Sequence, residues 1–378
     1  MISVNFYHLN DKLFDRENEK IPLKINLDEF IPLNSDHKEK IDRIKTKYIN
    51  KGLKDKEYVL VANTSFFSTI RDFVYSSLPS LITYIVAETK ILVNQININN
   101  APDKVFQAFT DHQSQYVVKE VSSPLFSLNK ESLLAVKNNL DNSISGQNSV
   151  KKHILVNLSK YLYSTNKSPL ILAFIGPQGV GKTEMARILS DSLFEKGHLF
   201  REQMSMLTNV ASQDYLFGSD TSNRSFSKNL LQRRSNVLLL DEFNLINPNF
   251  YGAFYQMFDE GKFVDGYYTV NLDKTIIICT ANYMSREEMV AQIGAPLYSR
   301  FDDVCVFDKL DANDYLKIAK LKIDSKIKDL KLEYQDKIDK GKILEEIQKQ
   351  GVFSDVRSLE HVIDQLINKD LLNRDHIL

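Results

Sequence analysis

From Pro169 onward, short and wholly apolar runs alternate with longer stretches whose apolar residues recur every three or four positions. PLILAFIG, VLLLDE (Val237–Glu242), KTIIICTAN and DVCVFD are too apolar to leave a face in water and too short for typical helices. They read as buried strands. Between them, KTEMARILSDSLFEKG reads as an amphipathic helix ending at Gly197, and NFYGAFYQMFDEG as a helix stopped by Gly261. Buried strands alternating with helices predict a parallel sheet covered on both faces. After Leu310 the strands fade, and a charged, helical remainder ends in a helix from about Ser358 to Asn368.

The text before residue 143 has a different character. It holds a strand-like start (SVNFYHL), a charged helix over about Asp36–Lys51 and a strand, Glu57–Ala62. A more apolar helix from about Ser68 to Ile91 and another near Asn129–Leu140 follow, and none of these carries a motif. At 378 residues the chain is too long for one ordinary core. The expected division is an N-terminal domain (1–142), a phosphate-loop subdomain (143–308) and a small helical subdomain (309–378).

Composition narrows the class. With 43% hydrophobic and 26% charged residues, the chain reads as a soluble globular protein. Its formal net charge of -1 offers no bulk positive field for nucleic acid. The start, MISVNFYHLNDK, lacks the basic-then-apolar order of a signal peptide. The longest apolar stretch, Ser76–Ala87, contains Pro79 and is too short to span a bilayer, so it reads as a core helix. A cytoplasmic protein with no membrane partner is expected. Cys279 and Cys305 lie in apolar runs without metal-ligand spacing and read as small buried hydrophobes.

The chemistry centres on GPQGVGKTE. Gly176, Gly181, Lys182 and Thr183 fit G-x-x-x-x-G-K-[ST], with Pro177, Gln178, Gly179 and Val180 between the glycines. The loop follows a strand and opens a helix, the context in which its amides and the helix dipole hold phosphate. Lys182 would reach the β- and γ-phosphates and Thr183 would place its hydroxyl on Mg²⁺. The bland alternative is a tight glycine turn. VLLLDE delivers Asp241 to the carboxyl end of a strand, where it would hold Mg²⁺ largely through water. Glu242 beside it would orient or polarise an attacking water, with the metal charge keeping both carboxylates ionised.

With these residues in view, the chain resembles the AAA+ ATPases, most closely the second ATPase module of the Clp-type unfoldases. The resemblance rests on GPQGVGKTE including Glu184, on SGQNSV (Ser145–Val150) ahead of it, and on LLLDEFNLINPNFYGAFYQMFDEGKFVDG. In the last run, Asp259, Gly261, Asp265 and Gly266 form the family's turn. It covers about Ser143 to Leu378 and leaves the first 140 residues unassigned. It implies an α/β fold: an AAA+ P-loop parallel sheet with a C-terminal helical lid, preceded by a separate mixed α/β N-terminal domain. It also implies ATP and Mg²⁺ as cofactors and a hexameric homo-oligomeric ring. In TAN (Thr280–Asn282), Asn282 takes the place of sensor 1; a strand-end turn is the alternative. In PLYSRFD, Arg300 takes that of the arginine finger, reaching a neighbouring subunit, with Arg233 and Arg234 as rivals. In SDVRSLEHVI, Arg357 takes that of sensor 2, binding phosphate from the lid. There the family usually has Gly-Ala before this Arg, whereas this chain has Asp355 and Val356.

Two further departures bear on function. The stretch matching the substrate-gripping pore loop is Asp214–Phe226, where Tyr215, Leu216, Phe217 and Gly218 could serve but the register is open. Ordinary hydrophobic anchoring of a loop is an equal reading. The peptidase-docking loop is reduced to YMSREEMVAQIGA, in which Ile293 reads as a helix residue and Gly294 as its C-cap. No dedicated Clp-type peptidase is therefore expected. Two functions follow: a ring ATPase that remodels or unfolds protein substrates, or an ATP-dependent assembly module whose N-terminal domain recruits or controls an effector protein.

Overall fold

The computed structural model describes residues 1–31, 37–48, 56–122, 127–209, 211–351 and 353–374. Its strands, in chain order, are β1 (Ile2–His8), β2 (Lys24–Asn26), β3 (Glu57–Ala62), β4 (Leu92–Asn99), β5 (Tyr116–Ser122), β6 (Leu170–Ile175), β7 (Phe200–Gln203), β8 (Val237–Asp241), β9 (Lys262–Val264), β10 (Thr269–Asn271), β11 (Ile276–Thr280) and β12 (Asp303–Val306). The chain divides into two compact units: Met1–Phe126 with Asn209–Arg234 and Asn249–Asp273, and Ser127–Thr208 with Ser235–Pro248 and Lys274–Leu378.

The second unit is built on a five-stranded sheet of order β12-β6-β11-β8-β7, parallel throughout. Every residue of β6, β8 and β11 is buried, as their unbroken apolar runs demand. β7 reads Phe-Arg-Glu-Gln and lies at the sheet edge, partly exposed, so no apolar run announces it. Both cysteines are buried, and burial pushes the Cys305 thiol up to about 12. The helical end has its own core. The helix Ala312–Lys328 places Tyr315, Ala319, Ile323 and Ile327 four residues apart on one stripe, against Ile343, Ile347, Leu359 and Ile363. Burying each such Ile or Leu side chain contributes about 1.5–3 kcal/mol.

The first unit has a parallel sheet of order β2-β3-β4-β1-β5 and an antiparallel β9–β10 hairpin. Phe109 packs edge-on against both Phe6 and Tyr116, at 5.8 and 5.0 Å between ring centroids. Phe226 does the same with Phe263, at 4.8 Å.

Three elements differ from the sequence reading. The helix expected over about Ser68 to Ile91 is a 3-10 turn, Asp72–Ser77, followed by an α-helix, Leu78–Thr89. Pro79, lacking an amide hydrogen, sits in the first helical turn, where none is needed. The charged helix is described over His37–Ile44, and part of its expected span lies outside the described residues. The helix Lys130–Ser143, expected with the N-terminal region, packs on the phosphate-loop helix instead, with Asn139 Nδ2 donating to Ser192 Oγ at 2.9 Å. Among the described residues, no helix is long and apolar enough to cross a membrane.

Candidate nucleotide site

β6 runs into Gly176, whose φ of 135° is accessible to glycine and whose Cβ, if present, would lie 2.5 Å from the Phe307 carbonyl. Gly179 and Gly181 also have positive φ, and a Cβ on Gly179 would collide with the Asp355 side chain. The loop therefore wraps tightly before the helix Lys182–Leu193 begins. Lys182, only 8% exposed, folds its ammonium back onto the loop: Nζ donates to Gly176 O at 2.5 Å, Pro177 O at 2.7 Å and Asn282 Oδ1 at 3.1 Å. Burial pushes this ammonium down to about 8, with the Asp241 charge opposing.

The acidic pair is held from two neighbouring strands. Thr280 Oγ1 donates to Asp241 Oδ1 at 2.5 Å and accepts from the Glu242 amide at 3.0 Å. Arg201 on β7 donates to Asp241 Oδ2 from Nε at 3.0 Å and from Nη2 at 2.5 Å. Gln203, paired with Asp241 in the strand register, donates from Nε2 to Glu242 Oε2 at 2.5 Å. Glu242 itself has φ 56°, a left-handed conformation that costs a non-glycine residue about 1–3 kcal/mol.

A cavity of about 720 Å³ opens over these groups. Gln178 to Glu184, Asp241, Glu242, Asn282 and Arg357 line it. Ile144, Leu310, Ile318 and Leu321 add apolar wall. The mixture suits a nucleotide, with cationic and amide groups for phosphate and an apolar surface for a base. The two halves of SGQNSV shape that wall. Gln147 takes φ 55° and clasps the chain after β12, donating to Asp308 O at 2.8 Å and accepting from Asp308 N at 3.1 Å. Ser145 Oγ donates to Asp314 at 2.9 Å.

The model of the AAA domain (Cdc48 subfamily) matches residues 168–347. These residues are an AAA+ module resembling those of the Clp-type unfoldases. Chaperone protein ClpB of Malacoplasma penetrans (strain HF-2) is 26% identical over 291 residues, covering 69% of this chain and 41% of that protein. ClpB of Chlamydia caviae is 26% identical over 340 residues, covering 80% and 38%. ClpB of Mycobacterium tuberculosis (strain ATCC 25618 / H37Rv) is 30% identical over 165 residues, covering 40% and 20%. The chain thus spans less than half the length of these relatives.

Most of the residues singled out from sequence line the cavity. Gly176 and Pro177 contribute carbonyls to Lys182. Arg300 is not among the lining residues, and its guanidinium donates to Pro296 O in the short helix Ala295–Tyr298 that precedes it. Asp355 spends its carboxylate capping the helix Val356–Arg374, accepting from Ser358 N at 2.7 Å. That cap accounts for the acid beside Arg357. Gly294 is the C-cap of the helix Arg286–Ile293, as its position suggested, at φ 81° and ψ 153°, a conformation open to glycine. Sequence reasoning missed Arg201 and Gln203. The signal available was an alternating polar pair, Arg-x-Gln, on a four-residue stretch between the loop helix and the acidic strand.

Proposed function

We propose that this chain is a Mg-ATP-hydrolysing, ring-forming ATPase of the Clp type that remodels or unfolds protein substrates. The observation that carries this reading is the convergence of Lys182, Asp241, Glu242, Asn282 and Arg357 on one cavity. Residues 309–378 would act as its lid. Lys182, released from its loop carbonyls, binds the β- and γ-phosphates. Thr183 and Asp241 would hold Mg²⁺, which supplies charge neutralisation at the phosphate oxygens. Glu242 aligns and deprotonates the attacking water, and Asn282 orients it. Arg300, which does not line its own chain's cavity, acts on a neighbouring subunit's nucleotide. The test is ATP turnover by the purified chain alongside electron micrographs with ATP. Closed rings with turnover abolished in Lys182→Ala support the reading, and a monomer that hydrolyses ATP at the same rate at every concentration sinks it.

The alternative is an ATP-dependent assembly module that recruits or controls an effector protein. One observation favours it: in the stretch matching a pore loop, Leu216 is fully buried and the Tyr215 hydroxyl is engaged by Asn229 Nδ2 at 2.7 Å.

A further inference from the structure

The two five-stranded sheets of this chain have the same plan. Counted from its own first strand, the sheet β5-β1-β4-β3-β2 has order 5-1-4-3-2. With β6, β7, β8, β11 and β12 counted as first to fifth, the AAA+ sheet has that order too, and all its pairs are likewise parallel. In both, a helix follows the first strand and another joins the fourth to the fifth.

The chemistry has been stripped from the N-terminal copy. Six residues, Gly176 to Gly181, separate β6 from its helix, while only Leu9 and Asn10 separate β1 from the helix Asp11–Glu19. No loop is left to wrap a phosphate. β8 ends in Asp241 followed by Glu242, whereas β3 ends in Ala62 followed by Asn63. The crevice at the carboxyl ends of the strands, where such sheets bind ligands, is filled from within. Asp11 puts its own carboxylate at the helix N-terminus, accepting from Thr64 Oγ1 at 2.6 Å and Asn99 Nδ2 at 2.9 Å. Asn100 Nδ2 closes the gap by donating to Leu9 O at 2.6 Å.

Into this filled crevice comes Gln232. Its Oε1 accepts from Asp11 N at 2.9 Å and its Nε2 donates to Thr64 Oγ1 at 3.2 Å. Eleven residues earlier, Thr221, 4% exposed, is fixed by the same sheet's helices. Its Oγ1 shares a hydrogen bond with the buried Tyr75 hydroxyl at 2.6 Å and donates to Phe67 O at 3.1 Å, and its carbonyl accepts from Ser68 Oγ at 2.9 Å. Both residues belong to the stretch between Phe217 and the acidic strand.

We propose that the N-terminal sheet is a nucleotide-free counterpart of the AAA+ sheet whose filled crevice, with the Phe67–Tyr75 segment, clamps residues 214–234 of the same chain. This inference rests on the fold and its hydrogen bonds, not on the ATPase reading. Its consequence is that Tyr215 and Phe217 sit in an anchored element and do not grip a moving polypeptide. Several hydrogen bonds from Thr221 and Gln232 acting together keep the segment from opening locally.

The test is hydrogen exchange on the full chain, with and without ATP, together with nucleotide stoichiometry. In the parent, amides of 214–234 are expected to exchange as slowly as those of β1 and β4, with and without ATP. In Gln232→Leu combined with Thr221→Val, exchange in 214–234 should accelerate at least about tenfold while β6 and β8 stay protected. One nucleotide per parent chain and none in Lys182→Ala is the expected stoichiometry. Rapid exchange of 214–234 in the parent, in either state, overturns the clamp, and so does an unchanged double variant. A second nucleotide per chain that survives Lys182→Ala overturns the nucleotide-free assignment. If the double variant fails to fold, the parent's exchange and stoichiometry still decide. A parent with a protected segment but no ATP turnover would sink the ATPase reading and leave this one standing.

Discussion

Gln203 and Glu242 are joined by a 2.5 Å hydrogen bond from the edge strand to the carboxylate proposed to activate water. A glutamate held this way has one oxygen committed to an amide donor. Gln203→Ala should therefore raise basal ATP turnover with nucleotide affinity unchanged. A hydrogen bond to a charged group contributes about 1.5–3 kcal/mol, so a rise of roughly tenfold is expected. An unchanged or lower rate would mean that Gln203 supports the active geometry.

Glu242→Gln should still bind ATP, because the phosphate loop is untouched. Hydrolysis should fall by about 10²–10⁴, the range for general acid–base catalysis. Lys182→Ala should lose binding itself. Fluorescent nucleotide titration beside phosphate release separates the two, and a Gln variant at the parent rate would remove Glu242 from the chemistry.

Arg201 holds Asp241 Oδ2 with two donors, so the guanidinium competes for that oxygen with a metal ion or its bound water. Arg201→Met, which keeps the aliphatic stem, should lower the Mg²⁺ concentration needed for half-maximal turnover. A higher requirement would show that Arg201 orients Asp241 and does not compete for it.

Arg300 should act in trans. Its loss is expected to cost roughly 10³–10⁵ in rate, the scale for such fingers. Mixing Arg300→Ala with Lys182→Ala chains should restore part of the activity, since some interfaces in a mixed ring keep both groups. No recovery in mixed oligomers would point to Arg233 or Arg234.

Phe217, 39% exposed, packs on Phe250 at 6.4 Å between ring centroids. With the segment clamped, Phe217→Ala should leave both ATP turnover and unfolding of a tagged substrate within about twofold of the parent, an ordinary effect for a half-exposed surface position. Loss of unfolding with turnover intact would return the gripping role to this aromatic.

The grouping of the candidate nucleotide site was legible because its parts are local. Glycine spacing, a lysine at a helix start and acids at the end of an apolar strand each sit within a few residues of one another. Arg357 was legible through its family motif, and its neighbour Asp355 became intelligible once its capping bond was seen. β7 was not legible, because an edge strand needs no apolar run and its two polar residues announce nothing until the register sets Gln203 beside Asp241.

By itself the sequence determined where the buried strands of the AAA+ sheet lie, since full burial forces a continuous apolar run, and where a tight loop opens a helix, since Gly176, Gly179 and Gly181 take positive φ there. Tertiary structure alone decided the rest. Strand order is a property of pairing between segments far apart in the chain, so the shared plan of the two sheets left no trace in periodicity or motif. The partners of Asp241 and Glu242 came from a strand some 40 residues away. The partners of Thr221 and Gln232 came from well over 100 residues away. Hydrogen bonds across such separations depend on which strands neighbour one another, and that is chosen by the packing of the whole core.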